Sequence, residues 1–220
     1  MVELFFWPTP NGMKVLMFLT EAGMDYRITS VNINEGEQFG NEFLQIAPNG
    51  RIPAIIDHAP TKSSETISIF ESGAILIYLA EKVGRFLPDS LVERMDVLQW
   101  LMWQMGSAPF LGGGFGHFYA YAPVKIKYCI DRFAMETKRQ LDVLDRHLAD
   151  NEFMAGEYSI ADMAIWGIDG QLVLGRVYDA AGFLNVDSYE NLMKWAKKID
   201  ARPAVTRGRM VNRPFGEPEM

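Results

Sequence analysis

Apolar positions change their spacing along the chain, and the change divides it. Positions 2–6 form a short apolar run closed by Pro8 and predict a buried strand. A turn over 8–12 leads to a helix predicted over 13–22, with Gly23 as its stop. Strand character returns over 26–33 through Ile28, Val31 and Ile33, followed by a polar loop over 36–40 and a short helical segment over 41–46. A hairpin is predicted over 52–57 and 67–70, and a helix over 72–82 stopped by Gly84. The interval between the hairpin strands is polar, with Lys62, Ser63, Ser64 and Glu65, and reads as a mobile surface loop. Beyond Pro88 and Asp89 the period is helical throughout, over 91–106, 123–149, 160 to about 180, and 189–201. Ser159 with Asp162 three residues on is a variant capping box, and Ser188 reads as a further cap.

The order strand, helix, strand, helix, strand, strand, helix needs one right-handed crossover and is that of a thioredoxin-like sheet. The fold class is therefore α+β, a thioredoxin-like βαβαββα domain followed by an all-α helical domain. The expected division is 1–84 for the first domain, 85–91 for the linker, 92–211 for the helical domain, and 212–220 for an irregular tail rich in proline. Composition agrees with a soluble globular protein: 220 residues, 49% hydrophobic and 22% charged. A formal charge of −7 argues against a nucleic-acid footprint or binding to an anionic membrane surface. One cysteine allows neither an internal disulfide nor a Cys-x-x-Cys pair and fits a reducing, cytoplasmic setting. The N-terminus lacks the basic start and apolar length of a signal peptide, and no run approaches the ~20 residues of a membrane span.

The chemistry concentrates at 48–80. Pro48, Asn49 and Gly50 make a turn, and Pro53 holds Ile52 extended, leaving its main chain free to pair with a ligand. The same proline is a candidate for the cis isomer. Ser72 falls where the first-turn N–H groups of a helix are unpaired and favour an anion, and Glu71 beside it could take an ammonium. A ligand with an extended amide, a carboxylate and an amine fits all three features. A plain turn and an ordinary helix cap fit the same residues.

N-G-R-I-P-A-I-I-D followed by F-E-S-G-A-I-L-I-Y-L-A resembles the glutathione-binding half of a glutathione transferase. P-T-P-N-G near the start and Y-C-I-D-R-F over 128–133 resemble the bacterial Nu class, and the likeness extends over nearly the whole chain. The resemblance implies that Thr9 and Asn11 face the glutathione sulfur, as the catalytic pair that favours thiolate over thiol. On their own terms the two residues are equally turn formers between prolines. No Tyr precedes Tyr26, no Ser precedes Ser30 and no Cys occupies the first turn, so the activators of other classes are missing. By the same resemblance Gln38, Arg51, Ile52, Pro53, Glu71 and Ser72 bind glutathione, with Gln38 at the glycyl end. Arg132 resembles a clamp on a glutathione carboxylate, for which a planar guanidinium is suited. A surface ion pair with Asp131 or Glu136 is the competing reading.

Cys129, three residues from Arg132 on one helix face, reads as core packing. The glycine-rich stretch between the helices, residues 106–123, neither follows a strand nor continues to Gly-Lys-Ser/Thr, so it is no phosphate cradle. His117, Phe118, Tyr119 and Tyr121 there are expected to form an adaptable wall for the second substrate. Trp100, Trp103 and the methionines near them read as core or dimer interface. The three histidines have no metal-ligand spacing, so no metal is expected. The function implied is a homodimeric glutathione-dependent disulfide reductase, in which conjugation to electrophiles or peroxide reduction would use the same thiolate, with glutathione or oxidised glutathione and a small disulfide or electrophile as its partners. Ether-cleaving or dehalogenating transfer is the enzymatic alternative, and a non-catalytic glutathione-binding regulator is the other class.

Overall fold

A computed structural model describes residues 1–61 and 63–211. The expectations for Lys62 and for the tail 212–220 lie outside them. The chain forms two compact units: Met1–Leu87 joined by the chain from Ala201, and Pro88–Asp200.

The first unit runs β1 (Val2–Phe6), α1 (Pro10–Ala22), β2 (Tyr26–Ser30), α2 (Asn41–Ile46), β3 (Ala54–Asp57), β4 (Ile67–Phe70) and α3 (Ser72–Val83). Its sheet has the order β2-β1-β3-β4, with β1 parallel to β2 and antiparallel to β3. Strand period 2 sorts the side chains of β1. Val2, Leu4 and Phe6 are buried on one face, and Phe6 lies so close to Gly12 of α1 that a Cβ there would meet its ring at 2.8 Å. Phe5 points to the other face and packs on Phe43 of α2, ring centroids 5.9 Å apart, within a cluster that includes Val31, Ala47, Ala54 and the side chain of Ile52. Glu3 shares that second face, where Arg27 and Thr29 donate to it at 2.5 Å and burial is offset by those bonds.

Helix α1 begins at Pro10, three residues ahead of the expected start, because Thr9 caps it and proline is well suited to the first helical position. Gly23 and Gly84 end α1 and α3 in the left-handed conformation, as their places in the sequence required. Helix α3 is tied to β3 by Asp57, whose carboxylate accepts from Tyr78 at 2.6 Å, from Lys82, and from the Ala59 N–H at 3.0 Å. Burial alone would raise the Asp57 carboxyl, but these three bonds bring it below its ordinary value. Burial and then the Asp57 carboxylate push the Tyr78 phenol up.

The second unit contains α4 (Leu91–Pro109), α5 (Lys127–His147), α6 (Ile160–Ile165), α7 (Gln171–Val173), α8 (Ala181–Leu184) and α9 (Glu190–Asp200). The glycine-rich stretch is not a loop. It continues α4 as a π-helix over Phe110–Tyr121, and its glycines serve close approach. A Cβ on Gly114 would lie 2.3 Å from the Phe133 ring, and one on Gly116 would lie 2.5 Å from Tyr178. The single helix expected over 160–180 is likewise broken, by a π-turn over Trp166–Gly170 and by Gly175 at φ 73°. The Ser159 capping box is present. Its Asp162 carboxylate is fully buried and accepts from the Ser159 and Met154 N–H groups and from Trp195 Nε1, at 3.1, 3.0 and 3.0 Å. Ser188 is not a cap: its hydroxyl donates to the Asn185 carbonyl, while Asp145 of α5 accepts from the Leu192 N–H in the first turn of α9.

The last helix, α10 (Pro203–Val211), belongs with the first unit rather than with the helical domain expected over 92–211. Gly208 lets it lie against Met13 and Leu16 of α1, and Arg202 pairs with Glu21 of the same helix.

Candidate functional site

In the first unit, four segments converge on a cavity of about 60 Å³: the start of α1, the turn before β3, the end of β4 and the start of α3. Asn11, Arg51, Ile52, Pro53, Glu71 and Ser72 all line it, so six of the residues expected to act together are together. Asn49 and Phe70 line it as well and were not singled out in the sequence. Asn49 lay in the quoted turn, and Phe70 is the last residue of β4 before the acid.

The backbone provides the first element of the site. Pairing of β3 starts at Ala54, opposite Phe5 and Phe70. Ile52 lies two residues ahead of that ladder, before a cis bond to Pro53, and its main chain makes no hydrogen bond to the described backbone. Its side chain is held in the Phe43 cluster, so the free amide edge is carried on a fixed support.

The second element is the start of α3. Strand β4 ends at Phe70 and the helix begins at Ser72, so Glu71 alone makes the reversal, at φ 69° and ψ 116°. A non-glycine residue in that region costs about 1–3 kcal/mol and persists only where the surroundings enforce it. Here the Asp57 network anchors α3 further along its length. Glu71 places no side-chain cap on the helix, and its first residue, Ser72, lines the cavity with the positive end of the helix dipole behind it. The Glu71 carboxylate stays exposed beside them. An extended amide, an anion and a cation thus have complementary groups within one small depression.

Thr9 caps α1: its Oγ1 accepts from the Gly12 N–H at 3.2 Å. This uses a lone pair and leaves the hydroxyl proton available for a further acceptor. The structural and catalytic readings of Thr9 are therefore compatible. Asn11, two positions on, is exposed and lines the cavity. Gln38 does not line it. Its amide nitrogen donates to the Ile33 carbonyl at 3.4 Å, and its own backbone carbonyl approaches Gly50, which at φ 60° carries the turn.

The remaining candidates belong to the second unit. Arg132 is exposed on α5; Asp131 pairs with Lys127 at 2.5 Å and Glu136 with Arg139 at 2.7 Å, and the Glu136 carboxyl is held below its usual value by the Arg139 bonds first and also by the Arg132 charge. Cys129 is half-exposed rather than a core residue, in the solvated first turn of α5. The four aromatic-wall residues do not share one surface. Phe118 stacks on Phe133 at 5.6 Å and against His117, whereas Tyr119 packs between Phe115 and Phe183 and lines a cavity of about 560 Å³. Tyr121 is exposed and meets Tyr178 edge-on. Among the described residues no group of three His, Cys, Asp or Glu side chains could hold a metal ion. No helix among them is long and apolar enough to cross a membrane.

Residues 1–81 match the family model for the glutathione S-transferase N-terminal domain. The disulfide-bond oxidoreductase YghU of Escherichia coli is 53% identical over 222 residues, covering 98% of this chain and 76% of that protein. The chain belongs to the glutathione S-transferase family. A crystal structure of the glutathione transferase YghU from Streptococcus pneumoniae, complexed with glutathione, matches this transferase with a TM-score of 0.90 and 52% identity. It covers 94% of this chain and 81% of that one. A glutathione transferase from Pseudomonas putida, with one glutathione disulfide bound per subunit, matches with a TM-score of 0.89 and 40% identity, over 94% and 90% of the two chains.

Proposed function

We propose that this transferase is a glutathione-dependent disulfide-bond reductase. The observation that carries the proposal is the coincidence of the Ile52 main chain, unpaired with the described backbone, the N-terminal end of α3 and the exposed Glu71 around one cavity. Glutathione has the matching parts: a cysteinyl amide for Ile52, a γ-glutamyl carboxylate for the Ser72 end of α3, and an ammonium for Glu71. Asn11 lines the same cavity, and Thr9 retains a proton to donate, so the sulfur of the bound tripeptide is the atom these two would stabilise as thiolate.

The protein brings no sulfur of its own to this turn, since its one cysteine is Cys129. The glutathione thiolate attacks a disulfide, one sulfur leaves as thiolate, and a mixed disulfide forms. A second glutathione thiolate attacks that intermediate, giving oxidised glutathione and the second thiol. Arg132 is assigned to a glutathione carboxylate, supported by its exposure on α5 and by the pairing of Asp131 with Lys127. Gln38 is assigned to the glycyl end of the tripeptide, Arg51, which lines the cavity, to glutathione binding, and Tyr119 with its aromatic neighbours to the second substrate. The exposed apolar stripe of Leu91, Val92, Met95 and Met102 on α4 supports a homodimer, and the free thiol supports a cytoplasmic setting.

Steady-state rates with glutathione and 2-hydroxyethyl disulfide, an aryl halide and a hydroperoxide test the assignment. The disulfide is expected to be the best of the three. Tight glutathione binding with no turnover of any of them would make the chain a binding protein instead.

A further inference from the structure

A further aromatic-lined cavity lies in the second unit, where about 440 Å³ opens beside the first half of α4 and the end of α5. Asp96, Trp100 and Trp103 fall at i, i+4 and i+7 on α4 and present one face to it. The two indoles meet edge-on, centroids 5.5 Å apart at 68°, and His147 lies across Trp100 at 4.5 Å and 46°. Both tryptophans are half-exposed, so their faces are neither core nor fully covered. The arrangement is a splayed aromatic box.

Its electrostatics have one sign. His147 Nε2 is 3.0 Å from the Met154 carbonyl, which can only accept, so that nitrogen carries the proton and the ring is held in place by the backbone. His147 is also the last residue of α5, and its carbonyl receives the Asn151 amide at 2.8 Å, so the negative end of the α5 dipole borders the cavity. Asp96 is the one ionisable carboxylate on the lining; Gln99 of the same lining donates to it at 3.4 Å, no Lys or Arg lines the cavity, and no base pairs with Asp96 within 4 Å among the described residues. Arg146, next to His147, is engaged by Asp142 at 2.9 Å. A lone carboxylate with aromatic faces suits neither an anion nor a divalent metal, which would need several oxygens. It suits a soft cation that brings little hydration to lose.

We propose that this cavity binds an organic ammonium ion, held by the faces of Trp100 and Trp103 and by the Asp96 carboxylate. Indole is the strongest of the aromatic cation receptors, and the cavity falls within the size range of small-molecule sites, roughly 300–1,000 Å³. None of the residues that line the glutathione cavity lines this one, so the proposal stands or falls independently of the reductase assignment.

Choline is the probe, and 3,3-dimethylbutan-1-ol, of the same shape without the charge, is its control. Saturation-transfer NMR on the ligand methyl groups and calorimetry read binding to the full chain. Choline is expected to bind at millimolar concentration and the neutral isostere about tenfold more weakly. Asp96→Asn, a change at an exposed residue, is expected to weaken choline about tenfold while leaving the melting temperature and the disulfide reductase rate unchanged. Trp103→Leu is expected to weaken it further. Equal binding of the two probes, no transfer to choline, or choline binding unchanged in Asp96→Asn would each overturn the assignment.

Discussion

Replacing Thr9 by valine keeps the shape of the side chain and removes both functions assigned to its hydroxyl. The first is the cap on α1, an accepted hydrogen bond of 3.2 Å from the Gly12 N–H. Losing an N-cap costs about 1 kcal/mol, which for a chain of this length lowers the melting temperature by about 2–4 °C. The second is the proton donated to the glutathione sulfur. A hydrogen bond to a charged group contributes about 1.5–3 kcal/mol, so its loss raises the pKa of the bound thiol by roughly 1–2 units. The two effects are read separately, the first by thermal unfolding without glutathione and the second by titrating the ultraviolet absorbance of the thiolate in the complex. Thr9→Ser keeps both functions and is expected to match the parent in both assays. A Thr9→Val protein that melts lower, yet binds glutathione with an unshifted thiol pKa, would show that Thr9 is a cap and nothing more.

Asn11→Ala is expected to lower the disulfide reduction rate more than glutathione affinity, because its proposed partner is the reacting sulfur; paired turnover and calorimetry check this. For Asp162, burial pushes the carboxyl up to about 6 against its hydrogen bonds. The folded chain then holds a proton that the unfolded chain has released, so this group's contribution to stability falls as pH rises from about 4 to about 6. Asp162→Ala leaves the buried N–H donors of Met154, Ser159 and Trp195 unmatched and is expected to cost upwards of about 3 kcal/mol in urea unfolding. Asp57 has the opposite sign. Its lowered carboxyl stabilises the fold above the ordinary value of 3.8, and that contribution is lost as pH falls through the lowered one. Asp57→Asn is expected to be less stable at neutral pH and to lose less on acidification, as denaturation at several pH values would show. Gly114→Ala, facing the Phe133 ring, is expected to cost about 1–3 kcal/mol, whereas Gly113→Ala, with open space around it, is expected to be neutral or stabilising by up to about 1 kcal/mol.

The first unit was legible because its signals are local. Gly23 and Gly84 stop helices, Pro53 interrupts a strand, and Ser72 opens a helix, each through its own backbone preference. Most of the candidate cavity follows from these, since Ile52, Glu71 and Ser72 are set by turns in one stretch of chain. What the sequence concealed depends on partners far away in it. The glycine-rich stretch shows no helical signal of its own, but in the fold Gly114 and Gly116 admit Phe133 and Tyr178 against a π-helix. Ser188 looked like a cap by its neighbours, yet the first turn of α9 is served by Asp145, some forty residues earlier. Helix α10 follows a run of helical segments and was grouped with them, while its small face at Gly208 fits α1. The positive φ of Glu71 has no sequence signature, because glycine would be the expected residue there.

The central claim is that the reacting sulfur belongs to bound glutathione and not to the protein. Replacing Cys129 by serine leaves a chain with no cysteine at all, and the rate of 2-hydroxyethyl disulfide reduction with glutathione measures the consequence. A rate equal to that of the parent is the expected result; loss of activity in a folded variant that still binds glutathione would contradict the account.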